Sequence, residues 1–135
     1  MTLPLDINVL LDLFLDRRPW SGDAALVVSA IEQGRADGYV AGHTITTAYY
    51  VIARAKDRRT AALAVTELLR ILKVVPLDSA DFQQALVLGL SDFEDAVQIA
   101  AALKVGADYV VTRDEKDFRG GPVEPRSAGE ILALL

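Results

Sequence analysis

The chain has no cysteine and a single histidine in 135 residues. Disulfides and thiolate metal sites are therefore excluded, and so is a His-rich zinc site. Any metal held by this chain has to be held mainly by oxygen, which favours Mg²⁺ or Mn²⁺. Positive charge is also in short supply. The net charge is −5, which argues against broad non-specific binding to nucleic acid, where basic patches are expected. It leaves a nucleic acid open as a substrate, because a metal can neutralise a carboxylate cluster and local Arg can do the rest. No apolar run approaches the length of a membrane span. The start, Met1 to Asp6, lacks the basic segment followed by an apolar one that a signal peptide needs. A soluble, cytoplasmic chain with no membrane contact is the expectation. Repeats, linkers and low-complexity segments are missing too, so residues 1–135 read as a single domain.

What the chain has in abundance is Leu, Ala and Val, within a hydrophobic fraction of 52%. That suits helices packed on a buried sheet, and it also suits an apolar surface for self-association. Leu3 to Asp6 reads as a first strand. Asn8 to Asp16 has apolar residues at 9, 10, 13 and 14, a helical period, broken by Arg17-Arg18-Pro19-Trp20-Ser21-Gly22. A second helix is expected from Asp23 to Gln33, with Leu26, Val27 and Ile31 on one side. Gly38 to Ala41 is a second strand, and Gly42-His43-Thr44 turns into a third helix, Thr44 to Lys56. A fourth helix, Arg59 to Leu72, should bury Leu63, Leu68, Leu69 and Leu72. Lys73 to Leu77 is a third strand, at an edge because of Pro76. Asp78-Ser79 caps a fifth helix reaching Leu88.

The chain is organised around Ser91 to Phe118. Ser91 and Glu94 have capping-box spacing, and Val97, Ala100, Ala101 and Val105 can form a helical stripe that Gly106 terminates. Asp108 to Thr112 has the β-branched content of a short buried strand. Val123 marks a last short strand, and Ser127 with Glu130 caps a terminal helix. Helix followed at once by strand points to α/β alternation with a parallel sheet.

In such sheets functional groups collect outside the carboxyl ends of the strands. Asp6 and Asp114 both fall there, and each is either a helix cap or a ligand. Asp95 lies inside a helix beside apolar neighbours, where a carboxylate is expensive unless it has a function. Asp92, three residues earlier, shares its face. Glu94 reads as a first-turn acid and Asp117 as solvated. Trp20 is expected to pack on the core, and His43 to cap a helix. Arg54, Lys56, Arg58 and Arg59 form a basic patch that solvation explains better than RNA contact. Carboxylates brought close repel one another, and a divalent cation is what lets a fold keep them together.

These residues resemble the PIN-domain family of metal-dependent ribonucleases, including the VapC-type toxins of bacterial toxin–antitoxin pairs. The matching pieces are Asp6-Ile7-Asn8-Val9, then Asp95-Ala96 leading into Ile99 to Leu103 and Gly106, and Val111-Thr112-Arg113-Asp114 followed by Asp117-Phe118. The resemblance implies a three-layer α/β/α sandwich with a central, mostly parallel sheet. It implies Mg²⁺ or Mn²⁺ held by Asp6, Asp95 and Asp114, with Asn8, Thr112 and Asp117 in support. It implies hydrolysis of RNA phosphodiesters by a metal-activated water, an antitoxin protein as partner, and a homodimer.

One departure matters. The family usually places a Glu in the helix after the second strand, and here Thr47 stands at that position. Asp92 is a candidate to compensate. Arg17, Arg18 and Arg113 are candidates for contact with the phosphate backbone. Two other readings stay open: a PIN fold that has lost catalysis and binds RNA or protein, and a phosphotransfer domain with Asp6 as nucleophile. The second acid and late Lys that the latter needs are not evident.

Overall fold

The computed structural model describes all 135 residues. In chain order it contains β1 (Thr2–Pro4), α1 (Ile7–Phe14), α2 (Ser21–Glu32), β2 (Asp37–Ala41), α3 (Gly42–Ala55), α4 (Arg58–Ile71), β3 (Lys73–Val75), α5 (Ser79–Val87), α6 (Phe93–Lys104), β4 (Val110–Val111), α7 (Glu115–Phe118), β5 (Pro125–Arg126) and α8 (Ala128–Leu134). All strand pairings are parallel, β1 with β2, β2 with β3, and β4 with β5. A parallel bridge between Leu5 and Val111 joins the two halves, giving the spatial order β3-β2-β1-β4-β5. The chain winds outward from β1 in one direction and, after β3, returns to build in the other. The order therefore reverses between β1 and β4, and in an open parallel sheet that is where a ligand crevice forms.

Helices cover both faces. Alternation along a strand sends neighbouring side chains to opposite sides, and β4 shows it within two residues. Val111 packs with Leu3, Leu5, Val27, Leu68 and Ile131 on one face, whereas Val110 packs with Ile99, Phe118 and Val123 on the other. Gly38 of β2 has no room for a side chain, since a Cβ there would lie 2.6 Å from Leu72 and 2.7 Å from Ile31. Gly106 ends α6 at φ +64°, as its position predicts. Capping boxes form at Asp78 with Asp81 and at Ser127 with Glu130. None of the helices is long and apolar enough to cross a membrane.

Several expectations are corrected. The cap of α6 is Asp92, whose carboxylate accepts the Asp95 N–H at 3.0 Å; Ser91 lies outside the helix. Asp95 is consequently a first-turn residue. β4 is confined to Val110–Val111; Asp108, outside it, donates its N–H to the Thr2 carbonyl and accepts the Thr2 N–H on its carboxylate at 2.6 Å. Pro125–Arg126, rather than Val123, supplies the last strand, and Val123 is core. The buried face of α4 is Ala61, Ala64 and Leu68, with Leu63 and Leu69 exposed; Leu26 of α2 is exposed as well. Leu-rich helices leave more than one face able to pass as the buried stripe, and here the small Ala side chains decide which helices approach closely. Trp20 is not packed on the core but remains 44% exposed. His43 makes no capping bond at the start of α3.

Candidate metal centre

β1 and β4 lie side by side, so the residues after them emerge together. Asp6 follows β1 at the N-cap position of α1, yet its side chain closes no cap bond there. It accepts the Thr112 hydroxyl at 3.1 Å instead, and the same Thr112 oxygen accepts the Asp114 N–H at 3.0 Å. Asp114, at the start of α7, also makes no cap bond, and its carboxylate accepts the Asn8 amide at 3.0 Å. Two hydrogen bonds thus cross between the Asp6–Asn8 and Thr112–Asp114 turns, tying both acids to one edge. Neither acid serves as a helix cap through its side chain, so that reading of them fails.

Asp95 arrives from the other side on α6. Gln98, one turn later, is buried and donates to the Leu5 carbonyl at 3.4 Å, pinning α6 over the end of β1. Desolvation, and after it the charges of Asp92, Asp6, Asp117 and Asp114, push the Asp95 carboxyl up to about 7. Burial pushes Asp6 up to about 6, although the Thr112 hydroxyl pulls the other way. The surroundings of Asp95 therefore contain the other four acids that the sequence singled out for the site, Asp6, Asp92, Asp114 and Asp117.

A small cavity of about 20 Å³ lies against this cluster, lined by Asp6, His43, Thr47, Glu94, Asp95 and Gln98, among others. That is room for about one water-sized species. Thr47 borders it while its hydroxyl donates to the His43 carbonyl at 3.2 Å. His43, Glu94 and Gln98 were not picked out as site residues. The signal for His43 was available, because it follows β2 at the same carboxyl edge that identified Asp6. Burial lowers the His43 pKa, and its Nδ1 has no hydrogen-bond partner.

The predicted arginines point elsewhere. Arg113 turns away from the acids, its Nε 2.9 Å from the buried carboxylate of Asp12, with its guanidinium 3.9 Å over the Trp20 ring. Arg17 lies 4.0 Å from the same Asp12. Arg18 makes only an exposed 3.6 Å pair with Asp16, a kind of contact worth little in water.

As the side chains lie, no three acidic or histidine groups close on one point. The donor chemistry nevertheless fits a hard divalent cation: carboxylate oxygens from three separate elements, two of them carrying raised pKa values that a cation relieves.

A family model described as "PIN domain" matches residues 3–116. Ribonuclease VapC1 of Aquifex aeolicus is 27% identical over 132 residues, covering 94% of this chain and 90% of that protein. The crystal structure of Mycobacterium tuberculosis VapC20, described as a sarcin–ricin loop cleaving toxin, superposes with a TM-score of 0.75 at 18% identity, covering 92% of this chain and 98% of that one. VapBC2 from Rickettsia felis, bound to a DNA fragment from its promoter, gives a TM-score of 0.71 at 12% identity, covering 94% and 98%.

Proposed function

Since the chain belongs to the PIN-domain family, we propose that it is a Mg²⁺- or Mn²⁺-dependent endoribonuclease and the toxin of a toxin–antitoxin pair. The observation that carries this reading is the pair of hydrogen bonds that ties Asp6 and Asp114 to one sheet edge, beside a cavity that Asp6 shares with Asp95. The ribonuclease name of the Aquifex relative and the toxin description of VapC20 support the substrate class. The assembled VapBC neighbour supports an antitoxin partner.

Asp6, Asp95 and Asp114 would hold the cation, with Asp92 and Asp117 adding negative charge around it. Bound there, a divalent cation acidifies a water and offsets charge on the scissile phosphoryl group. The chain's own contribution is placement. Asn8 and Thr112 fix the two sheet-edge acids, and Gln98 fixes the helix that carries Asp95. Thr47 borders the cavity with a hydroxyl whose lone pairs can orient a water. Side chains exposed along α5 and at the start of α6, namely Phe82, Leu86, Val87 and Phe93, offer apolar surface for a homodimer.

Chelation by EDTA should abolish RNA cleavage and added Mn²⁺ should restore it, with calorimetric titration showing saturable Mn²⁺ binding. The rival reading is a catalytically silent fold, favoured by Thr47 in place of an acid. It expects weak or no Mn²⁺ binding and no cleavage, so the same titration decides between them.

Asp92 has two jobs that can be separated. Asp92→Asn keeps an oxygen to accept the Asp95 N–H, so the fold should melt near the parent temperature while Mn²⁺ binds more weakly. Asp92→Ala should lose the cap as well, about 1 kcal/mol in denaturant unfolding. Unchanged Mn²⁺ affinity in the Asn variant would remove Asp92 from the site and leave it as a cap alone.

A further inference from the structure

The only tryptophan in the chain stands exposed in the connection between α1 and α2. Trp20 is 44% exposed, a large aromatic surface that burial does not explain. One side of its ring is taken by the Arg113 guanidinium at 3.9 Å, and that guanidinium is in turn held by Asp12 at 2.9 Å. The indole is therefore braced rather than free to swing. Trp20 and Arg113 together line a cavity of about 280 Å³, which Pro19, Asp23 and Ser127 help to enclose.

The position of this cavity matters. Arg113 lies between Thr112 and Asp114, the two residues that tie the sheet-edge acids together. Its α-carbon is one residue step, ~3.8 Å, from that of Asp114. Val9 and Asp12 of α1, the helix that begins beside Asp6, line the cavity as well, so its wall is built from residues adjoining the two turns that carry Asp6 and Asp114.

The cavity's chemistry selects which part of the strand enters it. Asp23 on its wall disfavours a phosphate, and Asp12, buried against Arg113 at 2.9 Å, already answers the charge of the one cation there. An aromatic face suits a base, because every base has a π-face and stacking is indifferent to sequence. Arg18, next to Pro19 and only weakly engaged with exposed Asp16 at 3.6 Å, is available to the backbone outside. We propose that the Trp20–Arg113 cavity is a base-binding subsite, in which one base of single-stranded RNA stacks on the exposed side of the Trp20 ring. This rests on the ribonuclease reading for its ligand, though the site itself is separate from the acids.

The sole tryptophan makes the test direct. An Asp95→Asn chain, used so that the RNA survives, is titrated with a single-stranded RNA oligonucleotide and with an otherwise identical abasic one. The intact oligonucleotide should quench tryptophan emission saturably and the abasic one should not. In the same background, Trp20→Ala should weaken binding of a fluorescently labelled oligonucleotide about tenfold by anisotropy, and Trp20→Phe should recover most of it. Equal quenching by the abasic strand, or unchanged affinity in Trp20→Ala, overturns the subsite. Cleavage by the parent chain without quenching in the variant removes the subsite alone. Quenching with no cleavage by the parent chain removes the ribonuclease reading and leaves the subsite standing.

Discussion

Asp95→Asn should lower RNA cleavage by about 1000-fold while making the metal-free protein more stable at neutral pH. The two halves of this result have one cause. Losing a charged ligand takes away several kcal/mol of transition-state stabilisation, and about 4 kcal/mol corresponds to about three orders of magnitude in rate. The same charge is a burden without a cation. In the folded chain the Asp95 carboxyl titrates at about 7, chiefly because it is desolvated, against 3.8 for an unperturbed Asp. Between these values the folded state keeps a proton that the unfolded chain has already released. Stability therefore falls as pH rises from about 4 to 7, and the loss is complete above the folded value. Asn has no proton to lose. In EDTA the variant should melt with the parent at pH 4 and above it at pH 7.5.

Mn²⁺ should reverse that order. A ligand bound only by the folded state stabilises it by about 2.7 kcal/mol at a hundred times its dissociation constant. The parent should gain this and the variant should not. Thermal melts at pH 7.5 with and without Mn²⁺, beside a cleavage assay, check all of it. Full cleavage by the variant would take Asp95 out of its assigned role. A variant that melts below the parent in EDTA would show that the carboxylate is not under the strain described.

Asp6 and Asp114 were legible in the sequence because their positions obey a topological rule. A short apolar run ending in an acid, next to a helix-then-strand unit ending in another, already places both at one edge of a parallel sheet. Asn8 and Thr112 were legible only through the family resemblance, since the hydrogen bonds they make cross 106 residues of sequence. The cap of α6 was misplaced because Ser91 and Asp92 are adjacent and both can cap; only the backbone, which turns helical at Phe93, chooses between them. The buried face of α4 was misassigned because periodicity marks where Leu recurs, whereas the close approach of other elements is set by Ala61 and Ala64. The direction of Arg113 lay beyond any local pattern. Its position after a strand suggested a group aimed at phosphate, and what draws it away is Asp12, an acid on α1 that packing has buried.

That pair makes the last large effect a structural one. Asp12 is 2% exposed and faces Arg113 at 2.9 Å. Arg113→Ala leaves a buried carboxylate with only Arg17, at 4.0 Å, to answer it. Removing one partner of a buried pair costs about 3–5 kcal/mol, and Arg17 should hold the loss near the lower figure. The effect should depend on pH. Burial already raises the Asp12 carboxyl and Arg113 opposes the rise, so without Arg113 the group climbs further. At pH 4.5 the folded variant can neutralise Asp12 by keeping its proton, and the loss should be small. It should grow as pH rises through the higher folded value, where the unfolded chain is already ionised. Urea unfolding at pH 4.5 and 7.5 measures both. Adding Asp12→Asn to Arg113→Ala should recover most of the stability at pH 7.5, because the stranded charge is then gone. An equal loss at both pH values, with no recovery in the double variant, would mean that Arg113 acts through its stacking on Trp20. With recovery, Arg113 is the fastening between α1 and the turn that carries Asp114, and the site's geometry depends on a residue that never faces its acids.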